Sequence, residues 1–249
     1  MNGNNNSNLP LELLERLSVE VDFAITELDG NCQGILAGYQ YYSARHYAAA
    51  ARGYIRLKRA GEDAAAQQLL RPMLETWVRV KAIKVDSMML YRIAMGELVE
   101  EEKWMKTLDP AGFIRDGGAQ KFAYRKDRFH DAFVNEFSPK DLVGVPRTGI
   151  SVEGLAKSAN LGVIYNSYYR LLCRHSHGNL SAMTGLFSDI DIKESFLVGA
   201  GLSEIMLALK ELGAECPNFC ALNTEVSAIC VSISGGFESP AAKTFDPKH

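Results

Sequence analysis

One short stretch of the chain, Tyr169 to His177, carries residue types that could act on a phosphate group. If this stretch is helical, at about 100° per residue, then Asn166, Arg170, Arg174 and His177 share a stripe about 80° wide. Two arginines four residues apart repel each other unless an anion lies between or opposite them. The stripe is therefore a candidate site for a carboxylate or a phosphate, and His175 points to a neighbouring stripe.

His177 would lie at the end of this helix, where the helix dipole favours its protonated form and the two arginines oppose it. An arginine that holds phosphate and a histidine that moves a proton are the minimum for cleaving RNA without a metal, through attack by the ribose hydroxyl. The structural alternative is that Arg170 and Arg174 pair with acidic residues of an adjoining helix. In that case His177 caps carbonyl groups and His175 is a core histidine.

A second pair of charged residues, Arg71 and Glu75, lies one helical turn apart in an otherwise apolar stretch. If that face is buried, Glu75 could neutralise Arg71, Arg170 or Arg174 and connect the two segments. The pair would then either orient a catalytic cluster or belong to a purely structural polar network.

The elements that must position these residues are predicted to be helices. Apolar residues recur at helical spacing along most of the chain, and the β-branched run near its end also fits a helix. We expect helices at 10–30, 35–59, 62–106 with a kink or restart at Pro72, 122–137, 163–177, 192–212 and 218–233. The fold class is thus all-α, a helical bundle of about seven to eight helices.

The domain organisation follows from the polar and glycine-rich segments. Residues 1–9 are predicted to be a disordered N-terminus, residues 10–234 a single helical domain with a loop near 138–150, and residues 235–249 a flexible tail.

Composition excludes several classes of function. The net charge is −3 among 249 residues, so we expect no extended nucleic-acid or membrane-surface binding, and no apolar run could span a bilayer. The five cysteines are scattered, which favours structural thiols in a reducing cytoplasm over disulfides or zinc. No phosphate loop, dinucleotide fingerprint or serine-hydrolase elbow is present, so we expect no cofactor and no metal.

The run Lys121 to Arg128 interleaves basic and aromatic residues. It could contact single-stranded RNA, or it could be the solvated face of an amphipathic helix. The acidic run from Glu100 to Glu102 is expected to face solvent.

The Arg71/Glu75 pair and the later Tyr-x-x-Leu-Cys-x-x-x-His pattern together resemble the DUF5677 family of bacterial proteins, over roughly residues 65–180. The matching positions are Arg71, Glu75, Tyr169, Leu172, Cys173 in place of the usual serine, and His177.

Arg170, with four residues before His175 or six before His177, also resembles the Arg-x4-6-His signature of HEPN-type helical ribonucleases, although Leu171 replaces the usual polar residue. This resemblance implies a HEPN-like core and a homodimer that brings two motifs into one cleft. It also implies metal-independent cleavage of RNA, in a toxin-antitoxin system with an antitoxin partner or in anti-phage defence. The alternative is a non-enzymatic regulatory or ligand-binding protein.

Overall fold

The structure is a computed structural model, and it describes residues 10–29, 31–137, 142–143, 145–146, 148–169, 172 and 194–234. Throughout these residues the regular structure is helical and no strand occurs. The predicted all-α fold is confirmed, whereas the HEPN-like core stays a prediction.

The described part contains ten α-helices, more than predicted because three of them are shorter than eight residues. They are α1 (Leu11–Glu27), α2 (Ile35–Arg59), α3 (Asp63–Val85), α4 (Met88–Leu108), α5 (Pro110–Arg115), α6 (Gly118–Glu136), α7 (Val152–Ser158), α8 (Gly162–Ile164), α9 (Glu194–Glu211) and α10 (Phe219–Ser234). A π-helical segment, Tyr165–Tyr169, follows α8 directly.

The predicted helix over 62–106 is wrong as one element, because α3 ends at Val85 and α4 begins at Met88. Between them the Asp86 carboxylate accepts from the backbone N–H of Met88 at 2.9 Å, two residues on, which forms an Asx-turn that separates the two helices. Pro72, where the kink or restart was expected, lies inside α3. Leu70, Met73 and Leu74 around it are buried, so tertiary packing holds the helix through a residue that disfavours it.

Other helix ends follow local sequence signals. Ser151, the predicted cap, accepts from the backbone N–H of Gly154 at 3.1 Å and starts α7. The Asp109 carboxylate accepts from the backbone N–H of Gly112 at 2.8 Å and caps α5. Pro110 occupies the first position of α5, where a missing backbone N–H is tolerated. Gly61 adopts a positive φ of 76° after α2, as residues that end helices often do.

The chain gathers into two compact units. The first unit contains the described residues 10–29, 41–77, 168–169, 172 and 194–234. Its centre is α9, which is buried around most of its circumference and packs against α1 and α10. Tyr47 of α2 is buried and donates to the carbonyl of Leu197 at 3.2 Å, where Gly201 leaves room for the phenol ring.

The second unit contains residues 31–40 and 78–167. Tyr91 of α4 packs edge-on against Phe133 of α6 and bonds to His130 at 3.1 Å. Glu136, the last residue of α6, accepts from the backbone N–H groups of Ile35 at 2.5 Å and Leu36 at 3.0 Å. These donors are unsatisfied at a helix start, so Glu136 caps α2 from a distant part of the sequence.

The predicted single domain over 10–234 stays a prediction, because compact units within one chain need not fold separately. The predicted N-terminus 1–9, the tail 235–249 and residues 138–141, 144 and 147 of the predicted loop lie outside the described residues. The described residues of that loop are not helical.

Candidate functional site

The residues predicted to do chemistry fall into two groups. Arg170, Arg174, His175 and His177 lie outside the described residues, so the stripe predicted for them stays a prediction. The predicted supporting residues Arg71, Glu75, Tyr169 and Asn166 are described.

The backbone just before Arg170 departs from the expected geometry. Residues Tyr165–Tyr169 form a π-helical turn, where an α-helix was predicted from Val163 onward. A π-helix bonds each residue to the fifth along instead of the fourth, so it has more residues per turn. The angle of about 100° per residue therefore does not hold across this turn. Asn166, which is exposed, belongs to the second unit, whereas Tyr169 belongs to the first.

Tyr169 is bound to α3 through the Arg71/Glu75 pair. The phenol of Tyr169 donates to Glu75 Oε1 at 2.8 Å, and Arg71 Nε donates to the same oxygen at 3.1 Å. The Arg71 guanidinium also lies over the Tyr169 ring, 5.6 Å from its centroid. We call these three residues the Tyr169 anchor. The sequence predicted that Glu75 could connect the two segments through Arg170 or Arg174; in the described residues the connection is made by Tyr169.

Partial burial shapes the chemistry of the Tyr169 anchor. The side chains of Arg71 and Glu75 are 28% and 26% exposed. Burial, followed by the hydrogen bond and charge of Glu75, raises the pKa of Tyr169, and Arg71 opposes this rise. Tyr169 therefore stays a hydrogen-bond donor at physiological pH. Glu75 accepts both hydrogen bonds on the same oxygen, Oε1.

A second polar cluster surrounds Glu194, and the sequence did not predict it. Glu194, the first residue of α9, has a side chain that is only 11% exposed. Its carboxylate accepts from Tyr54 at 3.1 Å and Gln67 at 2.7 Å, and Lys58 Nζ lies 3.5 Å from it. We call Tyr54, Lys58, Gln67 and Glu194 the Glu194 anchor.

The charges of the Glu194 anchor reinforce one another. Burial lowers the pKa of Lys58, but the hydrogen bond that Lys58 donates to Asp63 at 2.5 Å and the charge of Glu194 outweigh burial and raise it. Burial and the negative charge of Glu194 raise the pKa of Tyr54. Tyr54 and Lys58 therefore keep their protons next to the Glu194 carboxylate.

The two anchors lie along one stripe of α3. Gln67, Arg71 and Glu75 are spaced four residues apart, so they line the same helix face over about 12 Å. Tyr169 contacts one end of this stripe and Glu194 contacts the other. The spacing of polar residues in an apolar helix was a signal that could have included Gln67, but nothing in the sequence paired it with Glu194.

Two of the four basic residues in the run on α6, Arg125 and Lys126, are paired with acidic residues of α4. The Arg125 guanidinium donates a bidentate pair of hydrogen bonds to the Glu101 carboxylate, at 2.8 and 2.9 Å. Lys126 donates to the Glu102 carboxylate at 2.5 Å. Glu102 is only 17% exposed, so the prediction that the whole acidic run faces solvent is wrong for this residue. These pairings reduce the positive charge that α6 can offer to a nucleic acid.

Within the described residues no cluster of histidine, cysteine, aspartate or glutamate side chains has the arrangement of a metal site. The thiol of Cys216 lies 3.7 Å from the carbonyl of Ala214, to which it donates. No helix in that part of the chain is both long and apolar enough to cross a bilayer.

Comparison with known proteins identifies the family. Residues 44–194 match the sequence model of DUF5677, which is described as a family of unknown function, and this match covers more than half of the chain. The chain belongs to the DUF5677 family. The DUF5677 match extends beyond the resemblance at residues 65–180, and it includes every residue of both anchors. No curated protein matches the chain, and no solved structure matches it.

Proposed function

We propose that this DUF5677 protein is a metal-independent endoribonuclease of bacterial toxin-antitoxin or anti-phage defence. His177 is the acid/base, and Arg170 and Arg174 hold the scissile phosphate. The proposal includes a HEPN-like core, a homodimer in the cytoplasm and, in a toxin-antitoxin setting, a protein antitoxin.

The observation that carries the proposal is the Tyr169 anchor. Tyr169 directly precedes Arg170 in sequence, and its hydroxyl and ring are both held by α3. Leu172, two residues after Arg170, is buried. A catalytic side chain must be held within a fraction of an ångström of its working position, so fixed neighbours on a rigid helix are what such a site needs.

The proposed reaction uses only protein groups. The ribose 2′-oxygen forms a bond to phosphorus as the bond from phosphorus to the 5′-oxygen breaks. A histidine takes the 2′-hydroxyl proton or supplies the proton that the 5′-oxygen needs, and the arginines stabilise the charge that develops on the phosphoryl oxygens. In a homodimer, the two copies of His177 supply both proton transfers.

The test is cleavage of a mixed-sequence RNA by purified protein in the presence of a chelator. The wild type should cleave, and His177→Ala should lower the rate at least about a hundredfold without changing thermal stability. His46→Ala is the matched control, because this substitution removes the same imidazole ring from an exposed position on α2. Absence of cleavage by stable wild-type protein, on any RNA tried, would reject the proposal.

A second candidate is a non-enzymatic regulatory or ligand-binding protein in which these residues form a polar network. The observation that favours it is that Arg71, Glu75 and Tyr169 bond to one another, as structural residues do. The paired charges of α6 also leave less positive charge for RNA. In this case His177→Ala should lower the melting temperature by several degrees, and no RNA should be cut.

A further inference from the structure

Glu194 is surrounded by more partners than the start of a helix requires. An acidic residue in the first turn of a helix is favoured by the helix dipole even when it is fully exposed. Glu194 is instead nearly buried, which costs free energy unless the carboxylate is paired and hydrogen-bonded. Its partners come from two other helices, with Tyr54 and Lys58 on α2 and Gln67 on α3.

Tyr169 and Glu194 lie directly before and directly after the stretch 170–193, and both bind α3. Arg170, Arg174 and His177 lie within that stretch. Both ends bind the same face of α3, at Glu75 and at Gln67, about 12 Å apart along the helix. One helix, α3, therefore holds the described residues on both sides of the stretch that contains the proposed catalytic residues.

We propose that Glu194 is a positioning residue of this protein. By binding Tyr54, Lys58 and Gln67, it holds the second end of the stretch against α3, as Tyr169 holds the first. This inference rests on the proposed ribonuclease function for its catalytic consequence, whereas the anchoring itself can be measured without any activity.

The main variant is Glu194→Gln, which keeps the size of the side chain and removes the charge that Lys58 faces. Asp63→Asn is the matched control, since it also removes a negative partner of Lys58 but lies on a side chain that is 65% exposed. Tyr54→Phe is a milder second variant that deletes one donor to Glu194.

The measurement of anchoring is limited trypsin digestion of the full-length folded protein, followed by mass spectrometry. Cuts after Arg170 and Arg174 are compared with cuts after the exposed Arg115 in the second unit. Cuts after Lys193 are excluded because the substitution changes the neighbouring residue. Glu194→Gln should raise cutting after Arg170 and Arg174 by about fivefold or more relative to Arg115, and Tyr54→Phe by less. Asp63→Asn should stay within about twofold of the wild type.

The measurement of positioning is the kinetics of RNA cleavage. Glu194→Gln should lower kcat by about tenfold or more and change KM by less than about twofold, because misplaced catalytic groups slow the chemical step more than they weaken binding. Asp63→Asn should leave both constants near those of the wild type.

The outcomes separate the two proposals. If the wild type cuts no RNA but Glu194→Gln raises cutting by trypsin at the two arginines, the ribonuclease function fails and the anchor stands. If the wild type cuts RNA and Glu194→Gln changes neither kcat nor trypsin cutting, the anchor is refuted. A rise at all tryptic sites, Arg115 included, would mean global destabilisation and would also refute it.

Discussion

Replacing Tyr169 with phenylalanine tests the Tyr169 anchor with the loss of one oxygen atom. The substitution removes the 2.8 Å hydrogen bond to Glu75 Oε1 and keeps the ring over which the Arg71 guanidinium lies. A hydrogen bond to a charged acceptor contributes about 1.5 to 3 kcal/mol when it is buried. Since Glu75 is 26% exposed, water replaces part of the lost bond, and we expect a loss of about 1 kcal/mol. That loss should lower the melting temperature by about 2 to 4 °C in a chain of this length.

The assay is urea unfolding of the wild type, Tyr169→Phe, Glu75→Gln and the double variant. The two single changes should not add, because Tyr169→Phe removes the donor of this hydrogen bond and Glu75→Gln removes the charge that strengthens it. The coupling between them should be about 0.5 to 1 kcal/mol. A Tyr169→Phe variant within about 0.3 kcal/mol of the wild type and additive with Glu75→Gln would refute the anchor.

The pH dependence of the same variant gives an independent check. The pKa of Tyr169 is raised in the folded protein, so the folded state holds this proton more tightly than the unfolded state. The contribution of Tyr169 to stability is therefore complete below about pH 10, the ordinary pKa of tyrosine, and is lost as the pH rises toward the folded value. Other tyrosines also lose stability at alkaline pH, so the informative quantity is the difference between the wild type and Tyr169→Phe. That difference should shrink as the pH rises above about 10, as followed by urea unfolding; a constant difference would contradict the raised pKa.

Three further predictions concern the scaffold and can be checked by urea unfolding. Gly201→Ala should destabilise the protein by about 1 to 3 kcal/mol, because the new Cβ would lie 1.9 Å from the hydroxyl oxygen of the buried Tyr47. Gly38→Ala, where no other described part of the chain comes within 4 Å of a new Cβ, should instead stabilise the helix by about 0.5 to 1 kcal/mol; equal effects of the two changes would contradict the packing argument. Glu136→Gln should cost about 1 kcal/mol, because it weakens the cap on α2, whereas the exposed Glu100→Gln should change stability by less than about 0.5 kcal/mol.

The sequence by itself determined the elements whose signals are local. Apolar spacing predicted α2 over the same residues as in the structure, Ile35–Arg59, and Ser151 starts α7 as a cap should. The spacing of Arg71 and Glu75 in an apolar stretch also predicted that Glu75 could connect α3 to the Tyr169 segment, although through Arg170 or Arg174, whereas the contact in the structure is made by Tyr169 itself. In each case the cause lies within one or two helical turns, or in the need of a half-buried charge for a partner.

Only the tertiary structure decided the features that join distant parts of the chain. Pro72 stays inside α3 because its neighbours are buried, and the run before Arg170 forms a π-helical turn that a uniform helical spacing cannot reveal. Glu194 reads in sequence as an ordinary acidic helix start. Its partners Tyr54 and Gln67 lie more than a hundred residues earlier, and folding brings them together because a buried carboxylate must replace its lost water with donors.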